Sequence, residues 1–148
     1  MAIRQFFNHY DNKLDAKSRI SIPASFRAVI RDIGAQKLVL RRSLKFPAIE
    51  AWPDVYFAEF EARLDSRDVF SDEHDDMSWD VFAGAQETEP DRDGRVILSA
   101  EQIAWARLTT DVKLVGLGKR FEFWDRAAAQ ARMDARMGRS LRTDAGAP

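Results

Sequence analysis

Apolar positions along the chain switch between a period of two and a period of three to four, and they do so twice in the same order. Arg19-Ile20-Ser21-Ile22 alternates, the mark of a half-buried strand. Pro23 suits the first turn of a helix, which the spacing predicts over about 24–33 with Gly34 as its stop. A hairpin is predicted next, 37–41 to 48–52, with a long basic turn holding Arg41, Arg42 and Lys45. The second pass opens on Arg95-Val96-Ile97-Leu98, a more apolar strand. Ser99 is an N-cap for a helix over about 100–108. A second hairpin, 112–116 to 120–124, closes through the tight turn Leu117-Gly118-Lys119. A helix is predicted after each hairpin. The first, 54–64, has Asp54 as N-cap and Phe57, Phe60 and Leu64 at helical spacing; the second, 126–138, is capped by Asp125.

The residues themselves repeat. Asp15-Ala16-Lys17-Ser18-Arg19 and Asp91-Arg92-Asp93-Gly94-Arg95 both read Asp-x-x-small-Arg, at an offset of 76. Lys37-Leu38-Val39 matches Lys113-Leu114-Val115 at the same offset, and Glu50-Ala51-Trp52 matches Glu122-Phe123-Trp124 at 72. Internal similarity at a fixed period signals a duplicated structural unit. The chain therefore divides into a first unit over 1–54, a connecting helix and acidic linker over 55–88, a second unit with its helix over 89–138, and a disordered tail over 139–148. Phe70 and Phe82 are the expected anchors of the acidic stretch.

Composition narrows the class. The 148 residues include no cysteine, which excludes a disulfide scaffold, a thiolate metal site and a cysteine nucleophile. No apolar run approaches a membrane span, and the first residues lack a signal-peptide core, so a soluble, cytoplasmic protein is expected. The net charge of −1 conceals an asymmetry. Residues 1–48 hold ten basic and three acidic side chains, residues 49–91 two and fourteen, and residues 92–148 eleven and seven. A cationic first third can approach a polyanion, because fields act over about 8–10 Å in salt.

Lys13, Lys17, Arg19 and Arg27 fall within fifteen residues. Basic side chains on a turn and the strand after it can follow phosphates, and arginine can also grip a guanine edge. The competing role for Arg19 and Arg95 is a structural clamp onto Asp15 and Asp91, and the two roles are compatible. The second copy has Asp93 where the first has Lys17, so the first copy is expected to attract phosphate more strongly and, if the partner is DNA, to be its principal reader. Other chemistry is weak. His74 lies in an acidic stretch without matched ligand spacing, and Gly116-Leu117-Gly118-Lys119 is too short for a phosphate loop. Trp52 and Trp124 end equivalent strands, which favours packing over base stacking for the tryptophans. No hydrolase or nucleotide-binding signature is present, and no enzyme activity, cofactor, metal or small-molecule substrate is expected. The alternative to a polyanion-binding protein is an oligomeric adaptor whose acidic middle binds a basic protein; a metal-dependent hydrolase is remote.

The segments Leu14-Asp15-Ala16-Lys17-Ser18-Arg19-Ile20-Ser21-Ile22-Pro23-Ala24-Ser25-Phe26-Arg27 and Val115-Gly116-Leu117-Gly118-Lys119-Arg120-Phe121-Glu122-Phe123-Trp124-Asp125 resemble the MraZ family of bacterial transcriptional regulators. The resemblance covers about residues 1–138. It implies an α+β fold, a double-split (swapped-hairpin) β-barrel built from two tandem AbrB-like half-domains with flanking helices. It also implies a ring-shaped homo-oligomer that binds double-stranded DNA at direct repeats upstream of its own division and cell-wall gene cluster, within the nucleoid. The family's Asp-x-x-x-Arg element maps onto Asp15 and Arg19 and onto Asp91 and Arg95. With Lys13, Lys17 and Arg27 these form the expected DNA-binding set. Two departures stand out: Ser18 replaces the usual glycine, and residues 65–90 are unusually acidic, so no DNA contact is placed there.

Overall fold

In the computed structural model, which describes the backbone of residues 4–146 and the side chains of 4–139, each unit runs strand, short strand, helix, hairpin, helix. The first comprises β1 (His9–Lys13), β2 (Arg19–Ser21), α1 (Ala24–Asp32), β3 (Leu38–Arg42), β4 (Ala48–Pro53) and α2 (Asp54–Asp65). The second comprises β5 (Gln86–Thr88), β6 (Arg95–Ile97), α4 (Ala100–Trp105), β7 (Asp111–Gly116), β8 (Phe121–Asp125) and α5 (Arg126–Gly146). Between them lie α3 (Asp72–Ser78) and a π-helical turn over Trp79–Ala83.

The units interlock. A six-stranded antiparallel sheet has the order β1-β7-β8-β4-β3-β5, so each unit's first strand pairs with the other unit's hairpin. The hairpins meet where β4 pairs with β8, placing Glu50 opposite Glu122. Strands β2 and β6 leave the sheet and form a separate antiparallel ribbon. One face of the sheet, the inner face of the ribbon and α1 enclose the main core. There Phe6, Phe26, Phe121 and Phe123 pack with Ile20, Ile22, Val96 and Leu98. Phe6 meets Phe26 and Phe121 edge-on at 5.3 and 5.0 Å. The N-terminal segment crosses so close to Gly116 that a β-carbon there would meet the backbone of Phe6 and Phe7 at 2.8 Å.

Several expectations change. Strand β1 was not legible, because His-Tyr-Asp-Asn-Lys is poor in strand formers. Pairing with β7 creates it, and Asp11 sits opposite Lys113 with a 2.9 Å ion pair. That bond holds the Asp11 carboxyl below its usual range. Asp54 is not the N-cap of α2. The preceding strand runs to Pro53, which occupies that place, and Asp54 becomes the first helical residue, its carboxylate accepting from the Val55 N–H at 2.8 Å. Helix α4 ends before 108, because Arg107 turns to a positive φ of 54° and drops Leu108 into the core.

Helix α5 does not stop at Gly138 but continues to Gly146, so the disordered tail drawn from 139 is corrected as far as 146; residues 147–148 lie outside the described residues. An internal glycine costs about 1 kcal/mol against alanine but keeps its N–H, and no proline follows until 148. Phe70 does not anchor the linker. An Asx-type turn, in which the Phe70 N–H donates to Asp68 at 3.0 Å, leaves its ring 93% exposed. Val81 is buried instead, against Val39 and Phe57, while Phe82 only brushes Phe57 at 6.2 Å.

Candidate nucleic-acid interface

Each Asp-x-x-small-Arg segment folds as a clamp around one carboxylate. Asp15 Oδ1 accepts from the backbone N–H groups of Lys17 and Arg19, both at 2.9 Å, and Oδ2 accepts from Arg19 Nε at 2.8 Å. Asp91 repeats this with Asp93 and Arg95, at 2.9 Å for both amides and 3.1 Å for Nε. These bonds, led by those from the Arg19 and Arg95 amides, hold both carboxyls below their usual range. A φ of +61° at Ser18 and +76° at Gly94 reverses the chain. The clamp role is therefore real for both arginines, and it uses only the Nε edge.

Pairing of β2 with β6 brings the two clamps to one surface. Arg19 lies opposite Ile97 and Ser21 opposite Arg95. Ile20, Ile22, Val96 and Leu98 point into the core, while Arg19, Ser21, Arg95 and Ile97 line the outward face. The turns are tied to this ribbon, Ile22 N–H donating to Gly94 at 2.8 Å and Leu98 N–H to Ser18 at 2.9 Å. Asn12 Nδ2 also donates to the Ser21 carbonyl at 2.7 Å, fixing the ribbon to β1.

The remaining predicted residues distribute unevenly. Lys17 is exposed at the tip of the first turn. Lys13, at the end of β1, is exposed and loosely paired with Asp111 at 3.6 Å. Arg27 does not join the first turn: its side chain lies over Gly94, where a β-carbon would meet Arg27 Cδ at 2.5 Å. Arg27 thus serves the second turn, which also carries Arg92, exposed and overlooked in the sequence because its counterpart is Ala16. Ile97 was overlooked as well; strand periodicity marks it as outward, and it is 60% exposed beside the two arginines.

The turns differ in the freedom of their arginines. Arg95 Nη2 donates to Asp93 at 3.1 Å, so two edges of its guanidinium are held by carboxylates. Among the described residues Arg19 makes only the Asp15 contacts, leaving its Nη edge to solvent. A guanidinium fixed at Nε and open at Nη is preorganised for a phosphate or a guanine edge. The tryptophans take no place here. Trp124 is buried and Trp52 half-buried, each donating to the glutamate two residues earlier at 2.8 and 2.9 Å, while Trp79 and Trp105 are partly exposed away from the ribbon. No helix among the described residues is long and apolar enough to cross a membrane.

A family model described as "MraZ protein, putative antitoxin-like" matches residues 6–78 and 81–139. The chain is 45% identical over 130 residues to a protein of Gluconacetobacter diazotrophicus named Transcriptional regulator MraZ, covering 86% of this chain and 82% of that one. Proteins of the same name from Gluconobacter oxydans and Rhizobium meliloti are 39% and 34% identical, covering 88% and 95% of this chain and 82% and 97% of theirs. Sequence identity of this extent, over both interlocked units and both clamps, means that the chain belongs to the MraZ family.

Proposed function

We propose that this protein is a transcriptional regulator that binds double-stranded DNA through the β2–β6 ribbon and its two flanking turns. The observation that carries this reading is the pairing of β2 with β6, which sets Arg19 and Arg95 on one outward face with their stems clamped. A two-stranded ribbon fits the major groove, where arginine reads guanine and an apolar side chain meets the thymine methyl. In this reading Arg19 contacts a base edge, Lys13, Lys17 and Arg27 hold phosphates, Arg95 assists, and Asp15 and Asp91 orient the arginines. The first turn dominates, because its arginine keeps an open Nη edge and its neighbour is Lys17 rather than Asp93.

Strand exchange between the units and the separate ribbon support the swapped-hairpin, double-split barrel as the fold. One ribbon offers few contacts, so a single subunit binds weakly. A ring of identical subunits gains affinity through effective concentration, and its rotational neighbours face the same way, which suits direct repeats rather than a palindrome. The proposed operator lies upstream of the protein's own division and cell-wall gene cluster, and the protein acts in the cytoplasm at the nucleoid.

Fluorescence anisotropy on the duplex upstream of the gene tests this, with a shuffled duplex and a salt series alongside. The expected result is preference for the native duplex and a log–log salt slope near −0.9 per phosphate engaged. Equal, weak binding to both duplexes overturns the reading and leaves the basic surface to protein partners.

A further inference from the structure

The two units treat equivalent surfaces differently. On the face of the sheet away from the main core, each unit forms a groove between its last helix and its hairpin. In the first unit the groove holds Val39, Trp52, Phe57 and Phe60, and the acidic linker closes it with Val81 and Ala85. At the repeat offsets of 76 and 72 the second unit has Val115, Trp124, Ala129 and Arg132. Ala129 stands where Phe57 fills the first groove, and among the described residues no segment closes over it. The result is an open apolar trough of about 670 Å³, floored by Phe46, Val115 and Trp124 and walled by Met133 and Met137. Its rim carries Arg136 and Arg132, the latter 4.0 Å over the Phe46 ring, and Arg120, which is tied to the buried Glu122 at 2.8 Å.

The same chain carries the complement. Val69 and Phe70 are 61% and 93% exposed, with Asp68, Asp72 and Glu73 beside them. No folding role explains a solvated phenylalanine between carboxylates. This segment does not line its own molecule's trough. The linker packs at the β3–β5 end of the sheet, where Arg41 Nη2 donates to the Asp80 carbonyl at 3.0 Å, whereas the trough lies over β7 and β8. Strand β4 stands between, at about 4.8 Å per strand.

We propose that the trough of the second unit is occupied by the Val69–Phe70 segment of a second copy of this chain. Phe70 enters the apolar floor and Asp68 and Asp72 meet the arginine rim, while Glu73 stays paired with Arg67 of its own chain at 2.6 Å. The linker thus closes the first unit's groove within its own chain and the second unit's groove in the neighbour. Because knob and trough are different surfaces, the contact is head-to-tail, which builds a ring where its rotation closes and a filament where it does not. The inference rests on the homo-oligomer proposed above but not on its DNA sequence.

Sedimentation velocity without DNA reads it directly. Phe70→Asp on one surface and Met137→Asp on the other both alter exposed side chains, and circular dichroism melts verify that each variant folds. Each variant alone is expected as a monomer. Mixed in equal amounts they are expected to form one dimer species and nothing larger, since one intact knob meets one intact trough. An oligomer that survives both substitutions, a wild-type protein that is monomeric, or a mixture that stays monomeric overturns the proposal. DNA binding is scored separately. On a single-repeat duplex Phe70→Asp is expected within about twofold of wild type, while on a multi-repeat duplex it is expected to lose about a hundredfold. Loss on the single repeat, or no loss on the multiple repeat, counts against the interface, whereas wild-type indifference to DNA sequence counts only against the regulator reading.

Discussion

The first and second units share a backbone plan and differ where the backbone does not depend on the side chain. Inward positions correspond closely: Ile20 and Val96, Ile22 and Leu98, Leu38 and Leu114 are all buried. The clamp is the same in both turns to within about 0.3 Å. Divergence collects at two surfaces. On the turns, Lys17 and Ser18 face Asp93 and Gly94; on the outer helices, Phe57 and Phe60 face Ala129 and Arg132. A duplicated scaffold holds its fold with the clamp and the core, leaving turn tips and outer grooves free to specialise. One unit has an open arginine and a sealed groove, the other a held arginine and an open groove.

The largest test of that contrast is Phe57→Ala. It empties the sealed groove and is expected to cost about 3–5 kcal/mol, read from the midpoint of urea unfolding. Met133→Ala lines the open groove and is expected to cost less than about 1 kcal/mol, measured in the Phe70→Asp background so that no neighbour occupies the trough. Similar costs at the two sites would mean that the grooves are equally packed, and the contrast would collapse.

Next is the pair of arginines. Arg19→Ala is expected to weaken operator binding by about 1–3 kcal/mol, roughly 5- to 150-fold, and Arg95→Ala by clearly less. A greater loss at Arg95 reverses the assignment of the principal reader. Asp93→Lys sharpens the comparison by giving the second turn the charge of the first and freeing Arg95 Nη2. The expected outcome is a several-fold gain in affinity and a salt slope steeper by about one. No change would place the second turn away from DNA.

The clamp and the tandem plan were legible because both write themselves locally. An aspartate four residues before an arginine, with a small residue between, is turn chemistry within one short segment. Hairpins 38–42 to 48–53 and 111–116 to 121–125 follow from local alternation and were placed to within about one residue. What escaped depends on partners far along the chain. Strand β1 exists because β7 offers it an edge, and β5 because β3 does. Arg27 reads as part of the first basic cluster, yet strand exchange delivers it to Gly94 of the other unit. Neither sequence distance nor local charge can report that transfer.

Acid should act on both clamps alike. Asp15 and Asp91 have lowered pKa values in the fold against a usual 3.8. Each therefore contributes stability that is present above 3.8 and lost as pH falls through the lower, folded value. The expected outcome is loss of amide protection at Arg19 and Arg95 below pH 3.8, seen by proton–deuterium exchange, with Asp15→Asn and Asp91→Asn flattening the dependence. A fall in wild-type protection with acid that matches the fall in the Asp15→Asn and Asp91→Asn variants would mean that the charge is not what closes the turns.

The smallest effects concern the residues that reverse the chain. Gly94→Ser puts a β-carbon at positive φ and against Arg27 Cδ, so a loss of about 1–2 kcal/mol is expected together with displacement of Arg27. Ser18→Gly is the reciprocal change in the first turn, and two terms oppose there. Relief of the left-handed conformation at φ +61° is worth about 1 kcal/mol, while the looser unfolded chain takes back about 0.4–1 kcal/mol. The net expectation is a stabilisation of no more than about 0.5 kcal/mol, with operator affinity unchanged, because Asp15 rather than residue 18 holds Arg19. A destabilisation beyond 1 kcal/mol would show that the Ser18 side chain supports the turn, and the two turns would then differ in how they are built as well as in what they present.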